Sequence, residues 1–315
     1  MTTTEWTAVP TALGDLRALI HVPDAPGPHP GVVLVDGSGD GACDDWGEWP
    51  DRLVGRGAVV LAHDKPGCGG SPGHWTSQSL TDRAHETLAA VRVLRAHPAV
   101  ADRPVGLFGM SQGGWVSLLA ASLRTEPVDF IVSVSGPGVG PAAQDRVRLE
   151  RELGALDTPP LALAEALDWI DERNRRLIAG EPPLDVLAAQ QGYADRIWYG
   201  PVSQYFDSPV MFTFLAGLMS FDPVEVMPRV LCPVLALFGG SDTLVPVPAS
   251  VTAFATHLPR LPGDPHGIAV FPGADHGLFT ADPDPAVPRT DQLAVGFLPM
   301  VGDFLHRGVN ARNSG

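Results

Sequence analysis

Apolar residues along this chain come in two rhythms. Short uninterrupted runs at 31–35, 58–62, 105–108, 130–134, 232–238 and 268–271 are rich in Val, Ile, Leu and Phe. Runs of this length without alternation read as strands covered on both faces. Between them the period lengthens to that of helices. One ends near Gly57, and one starts at Ser79, where Asp82 stands in position to complete a cap. The latter would bury Leu80, Ala84, Leu88, Val91 and Leu94 before stopping at Pro98. Two alternating segments, 6–10 and 13–22, read as antiparallel strands turning at 12–15, with a proline-rich loop at 23–30 behind them. Strand alternating with helix predicts an α/β fold, a mostly parallel sheet with helices on both faces.

That rhythm breaks at Gly136-Pro-Gly-Val-Gly-Pro141, and from about 142 to 222 no strand-like run occurs. Helical stretches take over: one before Gly154, one from Thr158-Pro159-Pro160 to Gly180, and one from Pro182-Pro183 to Gly192. The organisation expected is a core of residues 1–139 and 226–315, interrupted by a helical cap at 140–225. Strand–helix order then returns, with helices at 248–258 and about 290–306, and residues 310–315 read as a loose tail.

The chemistry concentrates where the 105–108 run meets an almost wholly apolar helix. The turn is Gly109-Met110-Ser111-Gln112-Gly113, a G-x-S-x-G nucleophile elbow. A serine on so sharp a turn occupies a strained backbone conformation, and glycine two residues either side leaves room for it. Its Oγ would stand at a helix N-terminus, where developing negative charge is favoured. Gly69-Gly70-Ser71-Pro72-Gly73 matches the same pattern. There proline follows the serine and has no N–H to give an oxyanion, and no apolar helix follows, so Ser111 is the candidate nucleophile.

A serine hydroxyl needs a base, and the base needs an orienting acid. Asp242 and His276 both fall just past strand ends, in the chain order Ser, Asp, His of an α/β-hydrolase. Asp275 should point away from an extended segment that aims His276 inward. His63 and His74 lie close enough to strand tips to line a pocket, but neither follows the terminal strand. Oxyanion donors are expected from Gln112 and from the loop after the 31–35 run, around Ser38 and Gly39. Asp36, Ser38, Asp40, Gly41 and Asp44 also fit part of a calcium-loop spacing, but position twelve is Gly47 rather than glutamate, which favours a plain Gly-rich turn.

Composition narrows the partners. A formal charge of −15 argues against nucleic acid and anionic membranes. No apolar run approaches the ~18 residues of a membrane span, and 1–6 carries no leader-like pattern. Cys43, Cys68 and Cys232 are scattered and odd in number, as expected of a reduced, cytoplasmic protein. Lys65, the sole lysine among 21 basic residues, reads as a coding bias toward arginine.

Leu34-Val-Asp-Gly-Ser-Gly39, Asp64-Lys-Pro-Gly-Cys-Gly-Gly-Ser71, Gly109-Met-Ser-Gln-Gly-Gly114, the 232–242 run and Phe271-Pro-Gly-Ala-Asp-His-Gly277 together resemble the serine α/β-hydrolase superfamily. The similarity is to capped esterases and thioesterases, and to the catalytic domain of prolyl-oligopeptidase-type peptidases. It covers the core on both sides of the cap. It implies Ser111, Asp242 and His276 as triad, Gln112 and the Ser38 region as oxyanion hole, and neither cofactor nor metal. One departure stands out, because many relatives carry histidine where Asp36 is, and an acid there would disfavour anionic substrates. The expected activity is hydrolysis of an ester or thioester of a small hydrophobic molecule, with acyl transfer or peptide cleavage as alternatives using the same groups. A non-catalytic small-molecule-binding scaffold is the alternative from another class. Trp198, Tyr199, Tyr205, Phe206, Phe212 and Phe214, crowded into the cap, are expected to line an apolar acyl pocket unless they form the cap's own core. Oligomeric state is left open.

Overall fold

A computed structural model describes residues 2–263 and 266–308; the expected tail at 310–315 lies outside the described residues. The chain opens with an antiparallel hairpin, β1 (Thr2–Thr11) and β2 (Gly14–Pro23), closed by the two residues Ala12 and Leu13. Gly14, at φ +117°, supplies a turn conformation that side chains resist. Then follow β3 (Gly31–Val35), helix α1 (Trp49–Val54), β4 (Val59–His63), α2 (Leu80–Arg95), β5 (Val105–Met110), α3 (Gln112–Leu123) and β6 (Ile131–Val134). After a helical insertion come β7 (Val234–Gly239), α10 (Val247–His257), β8 (Gly267–Phe271) and α11 (Phe297–Asp303).

Among the described residues, eight strands form one sheet in the order β1-β2-β4-β3-β5-β6-β7-β8. All pairings from β4 to β8 are parallel, and the hairpin joins antiparallel through β2 and β4. Period-two alternation divides each buried strand between two cores. Val33, Val35, Val105 and Leu107 pack with α2 and α3, whereas Val32, Leu34 and Phe108 pack with α1 and α11. Ile131, Val234, Ala236 and Phe238 extend the first face toward α10. Helix α2 carries the expected cap: Ser79 Oγ accepts from Asp82 N at 3.1 Å while Asp82 Oδ2 accepts from Ser79 N at 2.9 Å.

The insertion consists of α4 (Pro141–Ala155), α5 (Pro160–Ile178), α6 (Pro183–Gln191), α7 (Tyr199–Ser203), α8 (Pro209–Ala216) and α9 (Pro223–Val226). Its two ends meet. A Cβ on Gly140 would lie 2.5 Å from the Phe221 carbonyl oxygen, so bare backbone is required there. Trp115 of α3 anchors the entry, its indole N–H shared between the carbonyls of Pro137 (2.8 Å) and Val139 (3.1 Å).

Two expectations need correction. The terminal helix starts at Phe297, not 290, because 279–294 is held in an irregular loop by Phe279–Leu293 pairing and Gly296 adopts φ +88°. Trp198, Phe206 and Phe212 are buried with Leu149, Leu153, Trp169 and Ile170 in the insertion's own core. Phe214 joins the sheet-side core, edge-on to Trp75 at 5.1 Å, and Tyr205 lies exposed under Arg148. Trp198, Tyr199, Phe206 and Phe212 therefore pack within the insertion, whereas Phe214 also borders a cavity of about 600 Å³ with Val210, Thr213 and Leu218.

Candidate active site

Strands β3, β5, β7 and β8 deliver the candidate residues to one edge of the sheet, at their C-terminal ends. The chain leaves β3 for β4 on one side and later enters β5 on the other, so β3 and β5 flank the point where the topology reverses, the usual crevice of an open α/β sheet.

Ser111 occupies that point. Its backbone sits at φ 53°, ψ −120°, a strained conformation for a residue with a Cβ. The surroundings enforce it. Ser111 N–H donates to Val134 O at 2.9 Å, and α3 begins at the next residue. A Cβ on Gly109 would meet Gly113 O at 2.3 Å, and one on Gly113 would meet Val35 O at 2.0 Å. Both glycines of the motif are thus demanded by backbone contact. The twelve-residue α3 starts at Gln112, so the positive end of its dipole lies on the serine's side of the turn.

Asp242 and His276 are brought together. Asp242 Oδ2 accepts from His276 Nδ1 at 2.7 Å, and the aspartate side chain has no solvent exposure. Its other oxygen accepts from the N–H groups of Leu244 (2.8 Å) and Val245 (3.0 Å), which leaves the carboxylate one orientation. Engaged at Nδ1, the imidazole keeps Nε2 as its open nitrogen. Asp275 turns away, as expected: Oδ1 accepts from the N–H groups of Gly277 and Phe279, both at 3.0 Å, and Oδ2 pairs with Arg289.

The competitors have other work. Ser71 Oγ donates to buried Asp64 Oδ2 at 2.8 Å and accepts from Arg17 N at 2.8 Å. His63 is half-buried, and the desolvation it suffers lowers its affinity for a proton; its Nδ1 bonds the Asp64 carbonyl. His74 closes a short turn by accepting from Thr76. The calcium spacing does not converge either, since Asp36 pairs with Lys65 and Asp44 with Arg17. Cys43, Asp44 and Asp64 do cluster, but Arg17 already bridges both carboxylates and burial pushes the Cys43 thiol up to about 12.

In the loop after β3, Gly37 lies beside the serine. A Cβ there would sit at ordinary contact distance, 3.5 Å, from Ser111 Cβ, and Ser38 and Gly39 follow it. A cavity of about 470 Å³ opens beside this point. Asp36 from the loop, Met110 from the elbow and Phe279 from the segment after His276 bound it together with Trp46 and Trp49. Asp40, Asp45 and Glu48 add carboxylates, and Arg52 pairs with Glu48.

A model of the alpha/beta hydrolase family matches residues 30–289. The chain belongs to that family. Among curated relatives, mouse mitochondrial acyl-coenzyme A thioesterase 2 is 29% identical over 217 residues, 66% of this chain and 41% of the relative. The chain thus spans less than half the length of the thioesterases it matches. A putative carbamate hydrolase, RutD, of Caulobacter is 27% identical over 80% of this chain and 86% of its own. Among solved structures, DcsB in complex with a substrate analogue aligns at TM-score 0.64 and 16% identity over 98% of this chain and 99% of that one. A Pyrococcus furiosus esterase aligns at TM-score 0.61 and 17% identity, over 97% and 91%.

Two residues of this alpha/beta hydrolase escaped the sequence reading. Lys65 and Arg83 are buried beneath the loop after β3. Lys65 Nζ donates to the carbonyls of Gly37 (2.7 Å) and Gly39 (2.6 Å) and pairs with Asp36 at 3.2 Å. Arg83 donates to Asp36 O (2.7 Å), Gly37 O (3.2 Å) and Gln112 Oε1 (2.6 Å). Burial and the neighbouring Arg83 lower Lys65 to about 8. The only sequence signal was a lone lysine at a strand tip.

Proposed function

We propose that this alpha/beta hydrolase is a serine hydrolase acting on a carboxylic ester or thioester of a small molecule. The observation that carries the reading is the 2.7 Å hydrogen bond from His276 Nδ1 to a fully buried, single-orientation Asp242. That arrangement fixes the tautomer a general base requires. Ser111 Oγ attacks the carbonyl carbon as His276 Nε2 takes its proton. The proton then passes to the leaving alcohol or thiol, and an acyl-enzyme remains. Water, activated by the same imidazole, attacks the acyl-enzyme and releases the acid, with the proton returned to Ser111. Backbone N–H groups of Gln112 and of Ser38 and Gly39 are the proposed oxyanion donors. The insertion is the proposed cap.

The cavity beside Met110 supports the substrate's character. Aromatic walls from Trp46, Trp49 and Phe279 favour an apolar or ring-bearing group, and the carboxylates of Asp40, Asp45 and Glu48 favour one that is uncharged or cationic. A thioesterase reading draws support from the names of the curated relatives. A net charge of −15 works against a polyphosphorylated thiol leaving group.

The test is a panel of uncharged aryl and alkyl esters, acyl-coenzyme A thioesters and amides of equal acyl length. Hydrolysis should be greatest for uncharged esters and be blocked by a fluorophosphonate. Tight small-molecule binding with neither turnover nor labelling would favour the binding-scaffold alternative.

A further inference from the structure

We propose that Lys65 and Arg83 are positioning residues that set the oxyanion donors, by drawing the carbonyls of the 36–39 loop inward so that the Ser38 N–H faces the carbonyl under attack. The inference rests on the serine-hydrolase reading and specifies how its oxyanion site is held.

Two cations buried side by side are costly unless their hydrogens are fully used. Here they are spent on one short loop. Lys65 Nζ has three donors and three acceptors: Gly37 O, Gly39 O and the Asp36 carboxylate. Arg83 takes the Asp36 and Gly37 carbonyls and reaches across to Gln112 Oε1. One guanidinium therefore ties the loop to the elbow, the two sources of oxyanion donors. The C=O and N–H of a trans peptide point in opposite directions. Fixing Gly37 O on both cations turns the Ser38 N–H away from them, at a glycine whose missing side chain would touch Ser111. The N–H of Gly37 is already engaged by the Asp36 carboxylate at 2.7 Å, and of the N–H groups that follow, that of Ser38 is the one the anchored Gly37 carbonyl directs.

The groups facing Lys65 are Asp36 after β3, His63 at the end of β4, Cys68 in the following loop, and Arg83 and Glu86 on α2. Burial beside Arg83 lowers Lys65 to about 8, so moderate alkali discharges it and slackens the loop. The charged form is the working form, and activity should fall as pH rises through that value.

The experiment compares wild type with Lys65→Met, Lys65→Arg, Arg83→Met and Arg83→Lys, using an uncharged ester and concentrations from active-site titration. Expected is a fall in kcat of about a hundredfold in the two Met variants, with KM within threefold, the pattern of a lost oxyanion donor. Lys65→Arg should retain much of the activity and abolish the alkaline decline. If the Met variants fail to fold, the pH profile of Lys65→Arg decides alone. Titrated Met variants with kcat within threefold of wild type would overturn the proposal, as would an alkaline limb unchanged in Lys65→Arg. A wild type with no fluorophosphonate-sensitive hydrolysis would overturn both this inference and the reading beneath it, whereas an active wild type with indifferent variants overturns the inference only.

Discussion

Arg151, on the first helix of the insertion, donates to the backbone carbonyl of Asp242 at 3.1 Å. The same guanidinium nitrogen reaches Val245 O, also at 3.1 Å, and Gln144 one turn or more earlier reaches Leu244 O at 3.3 Å. The insertion thus grips the loop that carries the proposed acid, so its position and the orientation of His276 are linked.

Arg151→Met should therefore reduce kcat/KM by about tenfold, the equivalent of roughly 1.4 kcal/mol from a lost hydrogen bond to a charged group. Steady-state kinetics alongside a thermal melt would check it. Unchanged kinetics would mean that the insertion is not coupled to the acid loop.

The two serines in G-x-S-x-G settings should respond in opposite ways. Ser71→Ala removes a donor to buried Asp64 and an acceptor for Arg17 N, costing about 1–3 kcal/mol of stability with turnover per folded molecule intact. Ser111→Gly should raise stability by about 1 kcal/mol, because glycine accepts φ 53° without strain, while abolishing turnover. Denaturant melts of both variants decide the matter.

Glu86 gives a pH test of stability. Burial raises its carboxyl to about 7 in the folded protein, against an ordinary 4.5, so between those values the folded state binds more protons than the unfolded one. Stability should fall as pH rises from 4.5 to 7 and then level off. Glu86→Gln keeps the bond to Gln78 without the charge. It should be more stable than wild type at pH 8, by up to about 3 kcal/mol, and no more stable at pH 4. A gain independent of pH would contradict the assignment.

Substrate charge should matter at the cavity beside Met110. For two aryl esters of equal shape, one with a trimethylammonium group and one with a carboxylate, kcat/KM should favour the cation roughly tenfold, the gap narrowing in high salt. Asp40→Asn should narrow it further. Equal rates for the pair would remove charge from the account of specificity.

How far the sequence could be read follows from where the information sits. The β3 and β5 strands, the elbow and the Ser79–Asp82 cap are written in neighbouring residues, and they were legible. The strand ends mark Asp242 and His276, which the structure brings into hydrogen-bond contact. The short helices α7, α8 and α9 leave little trace in the sequence, although Ser208 and Asp222 cap two of them through their side chains. At four to eight residues they hardly show a period, and packing supports them. The aromatic rings of the insertion could not be assigned a direction from composition, and an insertion of six helices proved thick enough to bury Trp198 and Phe212 within itself. Lys65 and Arg83 were invisible for a different reason. Most of their partners are backbone carbonyls 26 to 47 residues away, which no side-chain pattern records.

The central claim, that Ser111 is the nucleophile, is tested most directly by peptide mapping after reaction with a fluorophosphonate. The adduct should lie on the peptide carrying Ser111, with labelling absent in Ser111→Ala and retained in Ser71→Ala. An adduct on Ser71, or undiminished labelling of Ser111→Ala, would contradict the account.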